Sequence, residues 1–147
     1  MKCPIDNVEM KKVIYEADVE IDQCEVCGGV YLDAGELEAI QDARENDYSD
    51  YLERETESWD RNSERIRQSE EALYVCPGCG DNMIKKEYAS HSGIQIDICP
   101  ECRGIWLDAG ELQELEIFFE KARKDIPDYS RAGLFFSGIK RFFTNLR

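Results

Sequence analysis

Histidine is almost missing from this chain: His91 is the single copy in 147 residues. No Ser/His/Asp set and no glycine-rich phosphate loop accompanies it, so neither a triad hydrolase nor a nucleotide enzyme is indicated. His91 itself falls in a Ser-His-Ser-Gly stretch that reads as a solvated loop tip. No apolar run approaches the ~20 residues that a membrane span requires. The opening Met1-Lys2-Cys3-Pro4 has no apolar stretch resembling a signal peptide, so the expected location is the cytoplasm, where thiols stay reduced. Positive charge is also scarce. Eighteen Lys and Arg face 32 Asp and Glu, for a net charge of −14, which argues against nucleic acid as the partner. The scarcity is uneven. Residues 131–147 hold Arg131, Lys140, Arg141 and Arg147 and no acid, a local +4 that leaves −18 on the rest.

Cysteine, by contrast, is present seven times, and in a repeating order. Cys3-Pro-Ile-Asp6 precedes Cys24-Glu-Val-Cys27, and Cys76-Pro-Gly-Cys79 precedes Cys99-Pro-Glu-Cys102. Similar words follow each set, Gly-Val-Tyr-Leu-Asp-Ala-Gly-Glu-Leu at 29–37 and Gly-Ile-Trp-Leu-Asp-Ala-Gly-Glu-Leu at 104–112. The offset is 73 residues at the first knuckle and 75 at the second, so the second copy carries two extra residues between its knuckles, as a hairpin tip would accept. An odd cysteine count does not close a disulfide set, whereas paired short Cys loops in a reducing compartment read as zinc ligands. The expectation is two zinc ions, one held by Cys76, Cys79, Cys99 and Cys102, the other by Cys3, Asp6, Cys24 and Cys27.

The second set offers four thiolates and no open position, the pattern of a structural site. In the first, Asp6 stands where the second copy has Cys79. Aspartate can ligate zinc through oxygen, which would make this metal the more exchangeable one. The other reading has Asp6 capping the turn through backbone amides. Asp22 and Asp97 lie two residues before a cysteine. Because Asp97 accompanies a complete four-cysteine set, both are read as non-ligands.

Between the knuckles, Val19-Glu-Ile-Asp and Ile94-Gln-Ile-Asp alternate apolar with polar, a strand signal. Each copy therefore reads as a two-stranded hairpin, marginal in water without its metal. After each second knuckle a helix is expected, with Asp33 and Asp108 as N-caps and Glu36 and Glu111 completing capping boxes. Capping is preferred over a catalytic or second-metal role for these acids. Tyr31 and Trp106 are matched aromatics that would cover a metal site and start the core; the alternative is an exposed aromatic that grips a partner.

The first helix could run from Ala34 to about Glu71, with 13 acids and 5 bases. Its sevenfold apolar positions Leu52, Trp59, Ile66 and Leu73 have mostly polar companions, which favours a solvated connector over a coiled coil. Unbroken, ~38 residues would span ~57 Å; a break is expected near Asn46 to Asp50. The second helix spans about Ala109 to Lys124. Beyond Pro127, Phe135, Ile139, Phe142, Phe143 and Leu146 share one helical face. This basic, Phe-rich helix fits either a membrane surface or docking on the second ribbon.

Taken together, these residues resemble the bacterial transcription-factor-IIB-type zinc-finger family. Cys3-Pro4-Ile5-Asp6 with Cys24 to Leu37 matches one copy of its pattern, and Cys76-Pro77-Gly78-Cys79 with Cys99 to Leu112 the other. The first departs at Glu25, where the family has Pro, and at Tyr31, where it has Trp. The resemblance implies zinc binding and hints at transcription. The expected fold is small α+β and metal-stapled: two zinc ribbons, each a β-hairpin with two knuckles followed by a helix, joined by a long charged helix and ending in an amphipathic helix. The segments are 1–40 (first ribbon and helix start), 41–72 (acidic connector), 73–124 (second ribbon and helix) and 129–147 (basic tail). The expected function is a non-enzymatic zinc protein that binds another protein, its two modules held apart by the spacer. The alternatives are a membrane adaptor acting through 131–147, or a zinc or redox sensor acting through the Asp6 site.

Overall fold

The computed structural model describes residues 1–43, 48, 73–89 and 92–125. The expected connector helix beyond Ala43, the tail helix and His91 lie outside these residues; Tyr48 is described and is non-helical. Six strands form the sheet: β1 (Lys11–Ile14), β2 (Glu20–Gln23), β3 (Val30–Leu32), β4 (Ile84–Glu87), β5 (Gln95–Ile98) and β6 (Ile105–Leu107). A short 3-10 turn, Glu16–Asp18, links β1 to β2, and helices α1 (Glu36–Ala43) and α2 (Glu111–Asp125) follow β3 and β6.

Two expectations need correction. Each ribbon is three-stranded, because the residues just after the second knuckle, Val30-Tyr31-Leu32 and Ile105-Trp106-Leu107, form strands before the helix begins. Nor are the ribbons separate modules spaced by the connector. The sheet order is β1-β2-β3-β6-β5-β4, so β3 and β6 join both ribbons into one sheet. The physical reason is an edge. A three-stranded ribbon would leave β3 and β6 with unpaired backbone groups and exposed apolar faces. Pairing them antiparallel satisfies both.

The register makes the join symmetric. Val30 opposes Leu107, Tyr31 opposes Trp106, and Leu32 opposes Ile105. Tyr31 and Trp106 are repeat equivalents, so a pseudo-two-fold axis passes between them. The contact is the self-complementary kind that two-fold dimers use, here within one chain.

Strand alternation sends side chains to two faces. On one face Ile21, Val30, Leu32, Ile96, Ile98, Ile105 and Leu107 meet Leu37 and Ile40 of α1 and Leu112, Leu115 and Phe119 of α2. Leu32, Leu107 and Leu115 are fully buried, and burial of this kind is worth ~1.5–3 kcal/mol per side chain. On the other face Tyr31 and Trp106 form a second cluster with Met10, Met83 and the cysteines. A single row crosses that face: Lys12, Asp22, Tyr31, Trp106, Asp97, Lys85, each opposite the next.

Both capping boxes form in part as expected. The Asp33 and Asp108 amides each donate to the carboxylate three residues on, at 2.7 Å to Glu36 and Glu111. Each helix also reaches the other ribbon. Tyr15 donates to Glu116 of α2 at 2.7 Å, and Gln41 of α1 donates to Tyr88 at 3.4 Å. Tyr48 is buried and donates to Glu116 at 2.8 Å through its hydroxyl.

Candidate metal centres

Each knuckle is a tight turn closed through its first cysteine. Asn7 and Gly80 amides donate to the carbonyls of Cys3 and Cys76 at 3.0 and 2.9 Å, and Gly28 and Arg103 amides to those of Cys24 and Cys99 at 2.9 Å. All four donors have left-handed backbone, φ 56 to 87°, a conformation that glycine adopts freely and other residues rarely. The turn aims amides at sulfur. Ile5 and Asp6 donate to Cys3 Sγ, Gly29 to Cys27 Sγ and Gly104 to Cys102 Sγ, all at 3.4 Å.

These turns bring together both expected ligand sets. Within Cys76, Cys79, Cys99 and Cys102, and within Cys3, Asp6, Cys24 and Cys27, the ligand atoms all lie within 4.8 Å of one another. In the second set Cys76 and Cys102 sulfurs are 3.5 Å apart and those of Cys79 and Cys99 are 3.4 Å apart. In the first, Cys3 and Cys27 sulfurs are 3.6 Å apart, and Asp6 Oδ2 lies 3.5 Å from Cys3 and 3.2 Å from Cys24. A zinc tetrahedron with Zn–S bonds of about 2.3 Å has edges of about 3.8 Å, so both sets fit one zinc each. Asp6 turns its carboxylate into the cluster, as a ligand would. Asp22 and Asp97 belong to neither set. Asp97 instead forms a buried pair with Lys85 at 2.9 Å.

Burial pushes the thiols of Cys3, Cys27 and Cys99 up, and a bound divalent metal is what favours their thiolates. Hydrogen bonds from the Cys27 and Cys24 thiols hold the Asp6 carboxyl below the usual range. At Cys102, burial pushes up, but the Tyr31 hydroxyl, the Gly104 amide and the neighbouring sulfurs outweigh it and draw the thiol down to about 7.

The aromatics depart from expectation. Tyr31 and Trp106 are 1% and 0% exposed, which rules out their gripping a partner. They cover metal sites, but each covers the other ribbon's. The Tyr31 hydroxyl lies 3.5 Å from Cys76 Sγ and 3.4 Å from Cys102 Sγ. The Trp106 ring lies over Gly29, where a Cβ would come within 2.2 Å of it. Likewise, a Cβ on Gly78 or Gly104 would fall 2.3 or 2.0 Å from the Tyr31 hydroxyl. Gly29, Gly78 and Gly104 therefore leave the room that these rings occupy. The signal available in the sequence was the apolar three-residue run carrying each aromatic; nothing in it showed that the runs would pair.

Exposure separates the two centres. Asp6 is half-buried, whereas its counterpart Cys79 is exposed. The first ribbon also carries Ile5, Val8 and Val26 at 46%, 37% and 68% exposure. Gly78, Asp81 and Glu101 hold the equivalent positions of the second.

Two stretches of the chain, residues 2–43 and 75–116, match the model of a family described as a transcription factor zinc-finger; they make up 84 of the 147 residues. No curated protein and no solved structure matches the chain.

Proposed function

The chain belongs to the transcription factor zinc-finger family, in two tandem copies with one zinc site each, and from that premise we propose that it is a non-enzymatic module that recognises another protein through its first ribbon. In both sites the protein supplies all four ligands, Cys3, Asp6, Cys24 and Cys27 or Cys76, Cys79, Cys99 and Cys102. No position then remains for a reacting water, which is what a catalytic zinc needs. The observation that carries the interaction role is an exposed apolar residue on each of the two knuckles of the first ribbon. Ile5 and Val26 are 46% and 68% exposed at positions where the second ribbon has Gly78 and Glu101. The two ribbons share a fold, so folding alone does not require apolar tips on one of them. Exposed apolar side chains on both knuckles of one ribbon are the surface we assign to a protein contact. A transcription-linked partner is the class that the family name suggests.

The test is affinity capture with zinc retained, comparing the full chain with Ile5→Asp and Val26→Glu. A partner held by the parent and lost from both variants supports the role. Capture that is unchanged in zinc-loaded variants removes it. The sensor reading draws on one observation, the oxygen ligand of the first set. Mild peroxide should then release the first zinc well before the second, and simultaneous loss argues against it.

A further inference from the structure

We propose that Tyr31, a residue of the first ribbon, is a hydrogen-bond donor built into the second zinc centre and sets how inert that centre's sulfurs are. The inference rests on zinc filling the second ligand set and is independent of any partner.

The hydroxyl lies 3.5 and 3.4 Å from the sulfurs of Cys76 and Cys102, one from each knuckle. The residue is 1% exposed, and among the described residues the partners of its hydroxyl are these two sulfurs. The chain has made space for it. A Cβ at Gly78 or Gly104 would meet the hydroxyl at 2.3 or 2.0 Å, so any larger residue at either place would push the oxygen off the sulfurs. A hydroxyl admitted this tightly, with sulfur as its acceptor, does more than fill volume. Phenylalanine would bury the same ring.

Four thiolates on a divalent cation leave a net charge of −2. A donor to thiolate sulfur withdraws part of that charge, stabilises the bound ligand and lowers its reactivity toward electrophiles. Backbone amides already do this at each knuckle, and Tyr31 adds a donor from outside the ribbon. The first centre receives no such donor from the symmetric residue. Trp106 sends its indole N–H to Asp108 Oδ1 at 3.0 Å and presents ring carbons to Gly29. Tyr31 therefore also ties the second centre to β3, the strand that leaves the first. It acts on the metal through the ligands and is a positioning residue.

The experiment uses the full chain loaded with cadmium-113 or zinc. The parent should give two cadmium resonances, one from the four-sulfur site and one from the site with Asp6; failure to see two would count against the ligand sets themselves, not against Tyr31. Tyr31→Phe is expected to move the four-sulfur resonance, leave the other in place and speed zinc release from that site under N-ethylmaleimide by about tenfold. Gly78→Ala, which keeps Tyr31 but displaces its hydroxyl, should do the same. If Tyr31→Phe and Gly78→Ala leave the four-sulfur resonance and its release rate unchanged, or shift both resonances alike, the proposal is overturned.

Discussion

The two ribbons have the same strands, knuckles and helix cap, yet their chemistry diverges at nearly every position where the fold leaves a choice. The second has four sulfurs, a glycine and acids at its knuckle tips, a buried Lys85–Asp97 pair and a tyrosine hydroxyl on its ligands. The first has an aspartate ligand, apolar tips, and an exposed Lys12–Glu20 pair in place of a buried one.

Removing a metal should have the largest effect on the two halves. Cys99→Ser should unfold both ribbons, because β6 holds β3 and structural zinc contributes on the order of 10 kcal/mol. Circular dichroism and zinc content would report the loss. A variant that keeps the first ribbon folded with one zinc would show the halves to be independent and undo the shared-sheet account.

Next is the charged row across the sheet. Lys85→Ala strands Asp97, whose Oδ1 already lacks a partner, and should cost about 3–5 kcal/mol in urea unfolding of the zinc-loaded protein. The repeat equivalent Lys12→Ala, at an exposed pair, should cost under about 1 kcal/mol. Equal losses would mean that the halves do not differ here.

Asp6→Cys would make the first ligand set match the second. Zinc release to a chelator from that site should slow by about tenfold, the scale of a ligand-environment change, with the second site unmoved. No change in rate would mean that Asp6 does not control exchange.

The smallest effect concerns Glu116, where α2 crosses to the first ribbon. Burial pushes its carboxyl up, Tyr15 and Tyr48 pull it down, and buried Glu16 pushes it up again, leaving it raised. A raised carboxyl stabilises the fold most below the ordinary glutamate range, and that contribution is lost as pH rises through the folded value. Glu116→Gln keeps an acceptor and removes the charge. It should therefore stabilise more at pH 8 than at pH 5.5, by a few tenths to about 1 kcal/mol, read as the change in melting temperature at each pH. A uniform shift across pH would show that the carboxyl is not raised.

Much of each ribbon was legible because its signals are local. Cysteine spacing, with Asp6 at the repeat position of Cys79, named the eight residues that the fold brings together in two clusters, and the Asp-x-x-Glu spacing located both helix starts. Val30 to Leu32 and Ile105 to Leu107 were not read as strands, because three apolar residues between a knuckle and a cap carry no periodicity of their own. Tyr31 and Trp106 were recognised as metal-site covers but not assigned to the right sites. That assignment depends on β3 lying against β6, residues 75 apart in sequence.

Residue type and short spacing were enough to mark two metal-stapled units and to single out Asp6 as the oxygen candidate of the first, because a zinc site is written in local sequence. The folded chain was needed to show that the units share one sheet, that Asp97 is buried against a largely covered Lys85 while Lys12 is exposed, and that the Tyr31 hydroxyl lies on the other ribbon's cysteines. Those outcomes come from pairing two strand edges, and edge pairing is settled by which surfaces satisfy each other in space.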